Sequence, residues 1–286
     1  MDFDVGNHLR NSLELSGIIR ETVEPLVGSY EDRQHPVSKT GDTTFEIDVP
    51  VEEAVGGFFK DNGINATVMT EDQGILHYGG GTEAIYLIDP LDGSRNARRG
   101  LPAYSCSIAV FPPGAETLED VAVGVVSRLD TDDDYTVVAG DAARSNGKTI
   151  TASGKKDLTH AVLSIGCHFA GAYGIHDDLM LRLAEATGSG VDDVWLKCYG
   201  STALELAFLA SGKTDLIVDL RAGAGLAATP KTYDVAAGLL LCRESGAEVS
   251  YGSDSIPQPL PVDPTVKVQL VGAGSSTLFD QLTGYL

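Results

Sequence analysis

The sequence predicts a layered α+β fold built in two halves, and three observations carry that prediction. Apolar residues make up 43% of the 286 positions, the level a packed core requires. Short β-like runs separated by turn residues dominate positions 66–139, whereas strand and helix signals alternate after 160. Between them, positions 146–156 are polar and glycine-bearing, which sets the boundary between a 1–150 half and a 151–286 half.

The first 27 residues, with Leu9, Leu13 and Ile19 among charges and Gly28 behind them, read as a helix. A second helix is marked by Val51, Ala54, Val55, Phe58 and Phe59 at i, i+3, i+4, i+7 and i+8, with Asp48 as its N-cap and Pro50 in its first turn. Strands are expected at 66–70, 84–88, 105–111, 121–128 and 135–139. In the second half, 161–165 reads as a strand, 178–186 as a helix, and 201–210 as an apolar helix stopped at Gly212. Positions 216–219 follow as a buried strand and 235–245 as a helix ended by Gly246.

Charge excludes several classes of partner. A formal charge of −21 and a pI near 4.4 repel nucleic acid and anionic membranes. The acids are spread along the chain, as in a solvated coat that stays soluble in high salt, so a halophilic source is expected. No apolar run reaches the roughly 18–20 residues that cross a bilayer, and the start Met1, Asp2, Phe3, Asp4 is acidic, which points to the cytoplasm. Cys106, Cys167, Cys198 and Cys242 are far apart and are expected to be reduced core thiols.

The most informative stretch is 84–96, where an apolar run leads into Asp89, Pro90, Leu91, Asp92, Gly93 and Ser94. Two carboxylates leave a strand end three residues apart, with proline fixing one backbone angle and glycine permitting a tight turn. Such a turn aims both carboxylates at one point and frees the Leu91 carbonyl, the oxygen cluster that a hard divalent cation takes. Alone, the segment fits an ordinary Asp-Gly turn equally well. Glu71 also follows a short apolar run, and Asp234 stands where the cap of the 235–245 helix would be. Taken singly, Glu71 reads as a surface charge and Asp234 as a cap contributing roughly 1 kcal/mol.

Taken in order, these residues resemble the inositol monophosphatase family of metal-dependent phosphatases, and especially its archaeal members that also act as fructose bisphosphatases. The resemblance runs through Lys39, Asp42 and Asp48; Glu71 and Asp72; Asp89 to Asn96; Gly200, Ser201 and Thr202; and Tyr233, Asp234 and Gly238. Gly100, Leu101, Pro102, Tyr104 and Ser105, with Asp219, Leu220 and Arg221, resemble the archaeal branch.

The resemblance implies an α-β-α-β-α sandwich of the sugar phosphatase type, a homodimer, and two or three magnesium ions per subunit. It implies one metal on Glu71, Asp89 and the Leu91 carbonyl, and another on Asp89, Asp92 and Asp234. Gly93 and Ser94 would bind phosphate through backbone amides, and Ser94, polarised by Asp48, would position the attacking water. Asp48, Glu71 and Ser94 are thus the implied catalytic residues, and Asp92, Gly93, Ser94, Gly200, Ser201, Asp219 and Arg221 the implied substrate contacts. The implied reaction is direct in-line hydrolysis, the metals activating water and meeting the charge on the leaving oxygen. The chain departs from the family in having Ser94 for threonine, Tyr86 and Tyr233 for tryptophan, a longer segment between Asp219 and Asp234, and Arg95 beside Ser94. Arg95 either assists phosphate binding or points to solvent.

Other motifs fail on their details. Asp130, Asp132 and Asp134 open like a calcium loop, but Tyr135 stands where glycine is needed and no glutamate closes the loop, so a solvated β-turn is expected. Gly79, Gly80 and Gly81 lack the Lys-Ser or Lys-Thr of a P-loop, and Gly223 and Gly225 lack the third glycine of a dinucleotide fingerprint. His176 is expected at the surface. The leading expectation is a phosphomonoesterase of inositol monophosphate, fructose 1,6-bisphosphate or both. Alternatives are a bisphosphate nucleotidase or NADP phosphatase, disfavoured by the lack of an evident aromatic clamp for adenine, and a catalytically silent scaffold.

Overall fold

A computed structural model of the chain describes residues 3–29, 38–41, 44–79, 83–167, 169–188, 193–253 and 258–286. Helix α1 (Val5–Val23) starts at Asp4, whose carboxylate accepts the Asn7 amide at 3.0 Å, and runs into a short 3-10 turn over Glu24–Leu26. Helix α2 (Asp48–Asp61) begins one residue earlier than capping by Asp48 would require: its N-cap is Ile47, and Asp48 lies in the first turn. Strands β1 (Ala66–Thr70), β2 (Gly74–Tyr78) and β3 (Ile85–Asp92) precede the short helix α3 (Ser94–Arg98). After it come β4 (Ser105–Phe111), β5 (Val123–Arg128), β6 (Asp134–Val138), β7 (Arg144–Ser145) and β8 (Lys148–Thr149). The second half holds β9 (Val162–Ile165), α4 (Ala170–Tyr173), α5 (Asp177–Thr187), β10 (Trp195–Lys197), α6 (Thr202–Ala210) and β11 (Leu216–Asp219). It ends with α7 (Thr232–Ser245), β12 (Glu248–Gly252), β13 (Gln269–Ala273) and α8 (Ser276–Thr283).

Two mixed sheets result, in the orders β2-β1-β3-β4-β5-β6-β7-β8 and β10-β9-β11-β13-β12. Three apolar clusters assign the layers. Leu15 and Ile19 of α1 and Val51, Val55 and Phe59 of α2 cover one face of the first sheet, meeting Val68, Tyr86, Ile88 and Ile108. Its other face, with Leu87, Ala109 and Val126, packs on α6 and α7, which also meet Ile217 and Leu270 of the second sheet. The outer face of that sheet, with Leu163, Ile165 and Val218, buries Leu179 and Leu183 of α5 and Leu278 and Leu282 of α8. The order is therefore α-β-α-β-α.

The central layer explains the apolar character of 202–210: every residue of α6 is buried, as a helix enclosed on all sides demands. Helices α6 and α7 approach so closely that a Cβ on Gly238 would stand 2.5 Å from the Leu206 Cβ. Strands such as β2, β12 and β13 escape the apolar-run criterion because their burial alternates or they lie at an edge.

Candidate active site

Strand β3 builds the floor of the site. It pairs with β4 from Ile85↔Phe111 to Asp89↔Ser107 and resumes at Asp92↔Ser105, so three steps along β3 match two along β4. Pro90 and Leu91 form this bulge, where proline's missing N–H breaks no ladder bond. The strand thus continues through Asp92 instead of ending at Asp89, and the irregularity, not a terminal turn, sets the two carboxylates. Gly93 then turns the chain at φ 90°, and a Cβ there would lie 2.9 Å from the Ala103 carbonyl oxygen.

Helix α7 supplies the third acid. Its N-cap is Lys231, and Asp234 occupies the first turn, a correction to its expected place as the cap. The Ser107 hydroxyl donates to the Tyr233 carbonyl at 2.9 Å, fastening this turn to the strand that faces Asp89. Oxygen atoms of Asp89, Asp92 and Asp234 consequently lie within 4.8 Å of one another. One oxygen of each is already held: Asp89 Oδ1 accepts the Leu91 amide at 2.9 Å, Asp234 Oδ2 the Lys231 amide at 2.6 Å, and Asp92 Oδ2 both the Ser201 hydroxyl and the Ala203 amide at 2.8 Å.

Burial, reinforced by Glu71, Asp234 and Asp92, lifts the Asp89 carboxyl well above its ordinary range, and burial with Asp234 does the same to Asp92. Three such acids in one place are costly unless a cation meets them. Hard carboxylate oxygens, converging and oriented by their neighbours, fit magnesium or a similar divalent ion. Glu71 stands outside this triad but lines the same cleft and adds to the charge around Asp89. Leu91 also lines the cleft.

The cleft encloses about 300 Å³ and carries Gly93, Ser94, Arg95, Gly200, Thr202 and Arg221 on its walls. Several expected substrate contacts are engaged by the protein itself. Ser201 is 1% exposed and bonds Asp92 and, at 2.9 Å, the Ser105 hydroxyl. The Gly200 and Tyr199 amides both donate to Glu205 Oε1, at 3.1 and 3.0 Å, so the Gly200 N–H is already committed. Asp219 is fully buried, and its Oδ2 receives Arg221 Nη2 at 2.6 Å.

Asp48 also differs from expectation. Its Oδ2 accepts the Phe45 amide at 2.7 Å instead of the Ser94 hydroxyl, and it lines a small cavity with Glu52, Glu71 and Asp72. Burial first, partly offset by the Phe45 bond and reinforced by Asp72 and Glu52, pushes its carboxyl up to about 8. The Lys39 amide donates to the Asp72 carbonyl at 3.1 Å, whereas Asp42, Gly80 and Gly81 lie outside the described residues.

Sequence reasoning missed several residues of this site. Glu205 sits on the apolar α6, and burial, then Asp219, push its carboxyl up to about 7. Lys231, 2% exposed, donates from Nζ to the Thr40 carbonyl at 2.9 Å. Phe45, Phe169 and Tyr199 line the cleft, so aromatic faces border it although no sequence pattern announced them. Their only linear signal is an apolar or aromatic residue outside a periodic element.

Outside the site, further expectations change. His176 is buried at 1%, with Nδ1 3.3 Å from the Ala172 carbonyl. Cys106 and Cys242 are core thiols, but Cys198 is exposed on the cleft wall beside Cys167. The bend between β5 and β6 carries Asp132 exposed to solvent, while Asp130 and Asp134 at its flanks are tied by Arg128 at 2.7 Å and Arg20 at 2.8 Å. Among the described residues, no helix is long and apolar enough to cross a membrane.

Comparisons with known proteins agree with this architecture. The chain is 31% identical over 272 residues to a fructose-1,6-bisphosphatase/inositol-1-monophosphatase of Methanothermobacter thermautotrophicus, covering 92% of this chain and 91% of that one. It is 31% identical over 220 residues to a Nus factor SuhB of Pasteurella multocida, covering 77% and 75%. A solved inositol monophosphatase of Thermotoga maritima superposes with a TM-score of 0.72 at 24% identity over 98% of this chain and 96% of that one, which speaks for the fold alone. With the model of the inositol monophosphatase family matching residues 12–283, the chain belongs to that family of metal-dependent phosphatases and is a phosphoric monoester hydrolase.

Proposed function

We propose that the protein is a magnesium-dependent phosphomonoesterase of inositol monophosphate, fructose 1,6-bisphosphate or both. The observation that carries the reading is the convergence of Asp89, Asp92 and Asp234, each with one oxygen already held by the protein. Glu71, Asp89, Asp92, Asp234 and the Leu91 carbonyl are the donors for two or three magnesium ions. Bound there, the ions would supply charge to meet the transferring phosphoryl group and lower the pKa of water. The chain's own residues do the positioning. Gly93 and Ser94 present the backbone at the cleft wall for the phosphate, and the Ser94 hydroxyl, which makes no hydrogen bond among the described residues, is available to orient a water. Enclosure of the cleft keeps the phosphate oxygens on directed donors, which is the main requirement of a loose transition state.

Fructose bisphosphatase activity is supported by the archaeal relative's name, and the acidic composition by itself supports a halophilic source. Cytoplasmic residence and a homodimer belong to the same proposal. A second reading, a bisphosphate nucleotidase or NADP phosphatase, is favoured by Phe45, Phe169 and Tyr199 on the cleft. Release of inorganic phosphate from inositol-1-phosphate, fructose 1,6-bisphosphate, a nucleoside bisphosphate and NADP, with magnesium and with EDTA, tests both. Turnover of the first two, abolished by EDTA, is expected. Turnover confined to nucleotides selects the second reading; binding without any hydrolysis selects a scaffold.

A further inference from the structure

We propose that Asn96 is a positioning residue for phosphoryl transfer: its side-chain amide clasps the turn at Gly93 and Ser94 to the cleft wall at Tyr199 and Gly200, so that the slot they form fits the transition state. The inference rests on the phosphomonoesterase reading of the same cleft and concerns what fixes its walls relative to each other.

Asn96 lines the cleft from α3, and its backbone amide donates to the Gly93 carbonyl at 2.8 Å. Its Nδ2 donates at 2.7 Å to the Ala103 carbonyl and at 2.7 Å to the carbonyl of Tyr199, 103 residues away in sequence. A side-chain amide nitrogen carries two protons, so both are spent, and two facing carbonyls admit only a donor. The Ala103 oxygen is the one that would stand 2.9 Å from a Cβ on Gly93, so holding it fixes the surface against which the Gly93 turn packs. Tyr199 is held on its other side as well, since its amide and that of Gly200 both donate to Glu205 Oε1.

Asp130, whose spacing resembled a calcium loop, braces the far end of the clasp. Its Oδ2 accepts the Ala103 amide at 2.9 Å and Arg128 Nη2 at 2.7 Å. Ala103 is thus gripped at both its amide and its carbonyl, and its φ is 72°, a left-handed backbone that residues with a Cβ rarely adopt. Backbone donors stabilise a transition state only when they are already aimed at the charge that develops there. A displacement of about 1 Å commonly costs about 100-fold in rate. The clasp therefore acts through the backbone on either side of it, and its effect belongs to the transition state more than to the bound ester.

The test compares wild type with Asn96→Ala, with Asn96→Leu, which keeps the bulk without the donors, and with Asp130→Ala, which loosens Ala103 without altering a cleft residue. At saturating magnesium and well below each Tm, kcat on inositol-1-phosphate and fructose 1,6-bisphosphate is expected to fall about 30-fold in both Asn96 variants and about fivefold in Asp130→Ala, with KM within about threefold of wild type. Folded Asn96 variants with kcat within about twofold of wild type, or with a loss in KM alone, overturn the proposal. Calorimetric titration with orthovanadate, which takes up a five-coordinate geometry, and with inorganic phosphate, each with magnesium, gives a readout free of turnover. Vanadate affinity about tenfold weaker in the Asn96 variants, with phosphate affinity within about threefold, supports the clasp. Equal losses for both anions, or none for either, overturn it. If neither Asn96 variant folds, the kcat and KM of Asp130→Ala and the same pair of titrations on it decide. Wild-type protein that hydrolyses neither ester sinks the phosphomonoesterase reading, while the titrations still judge Asn96.

Discussion

Asp92 and Ser201 are 109 residues apart in sequence, yet Asp92 Oδ2 accepts the Ser201 hydroxyl at 2.8 Å. The same oxygen takes the Ala203 amide in the first turn of α6, so one carboxylate both caps a helix of the central layer and presents its other oxygen to the site. Because outer partners of a metal ligand commonly control affinity by about 10- to 100-fold, Ser201→Ala is expected to raise the half-saturating magnesium concentration at least tenfold. Turnover at saturating magnesium should stay within about threefold. A magnesium titration of activity checks this, and an unaltered midpoint would remove Ser201 from the supporting set.

Neutralising a floor carboxylate should have opposite effects on stability and function. Asp89→Asn keeps an acceptor for the Leu91 amide and removes one of the crowded buried acids, so in EDTA near neutral pH the variant should melt above wild type, by about 1–3 kcal/mol of stability. Magnesium should raise the melting temperature of wild type and leave that of the variant unmoved. Asp92→Asn should lose at least 100-fold in magnesium-dependent turnover. Thermal scans with and without magnesium decide; an Asp89→Asn protein less stable than wild type in EDTA contradicts the crowding argument.

Glu205 gives a pH dependence of defined sign. Burial raises its folded pKa to about 7, above the roughly 4.3 of an unfolded glutamate. An acid with a raised folded pKa contributes its full stability below the unfolded value and loses it as pH climbs through the folded one. Metal-free protein should therefore lose stability between about pH 4.3 and 7, on the order of 3–4 kcal/mol from this residue. Glu205→Gln, which still accepts from Tyr199 and Gly200, should flatten that slope in urea denaturation at stepped pH. Identical slopes for the two proteins would be the adverse result.

Lys231 links two segments that sequence places far apart. Its Nζ donates to the Thr40 carbonyl at 2.9 Å, and the Thr40 hydroxyl donates to the Glu71 carbonyl. Lys231→Met removes a charge-assisted bond of roughly 1.5–3 kcal/mol, for an expected fall in Tm of about 3–10 °C. Activity at saturating magnesium should fall about tenfold as Glu71 loses this anchor. A lowered Tm with undiminished kcat/KM would make Lys231 structural only.

The linear signals worked where chemistry is local. Apolar runs located β1, β4 and β11 because fully buried strands need no alternation. The Asp-Pro-Leu-Asp-Gly block pointed to the floor because proline and glycine carry their backbone constraints with them. Capping was misjudged at Asp48 and Asp234, since each carboxylate does accept a nearby amide but from within the first turn. His176 and Cys198 were misplaced because one hydrophilic ring is enclosed by neighbours remote in sequence and one thiol lies on a cleft wall.

By itself the sequence determined the layered composition of the fold and the family, and it named the candidate acids. Those properties reside in residue type, spacing and order along the chain, which folding does not alter. Only the tertiary structure decided which acids converge and which neighbours hold them. It bonded Asp92 to the first turn of α6, tied Ser201, Asp219 and the Gly200 amide to protein partners, and set Arg95 between Phe45 and Phe169 at the rim. A carboxylate's second oxygen and an arginine's ring partners are contacts across layers, and such contacts exist only once the sheets and helices have packed.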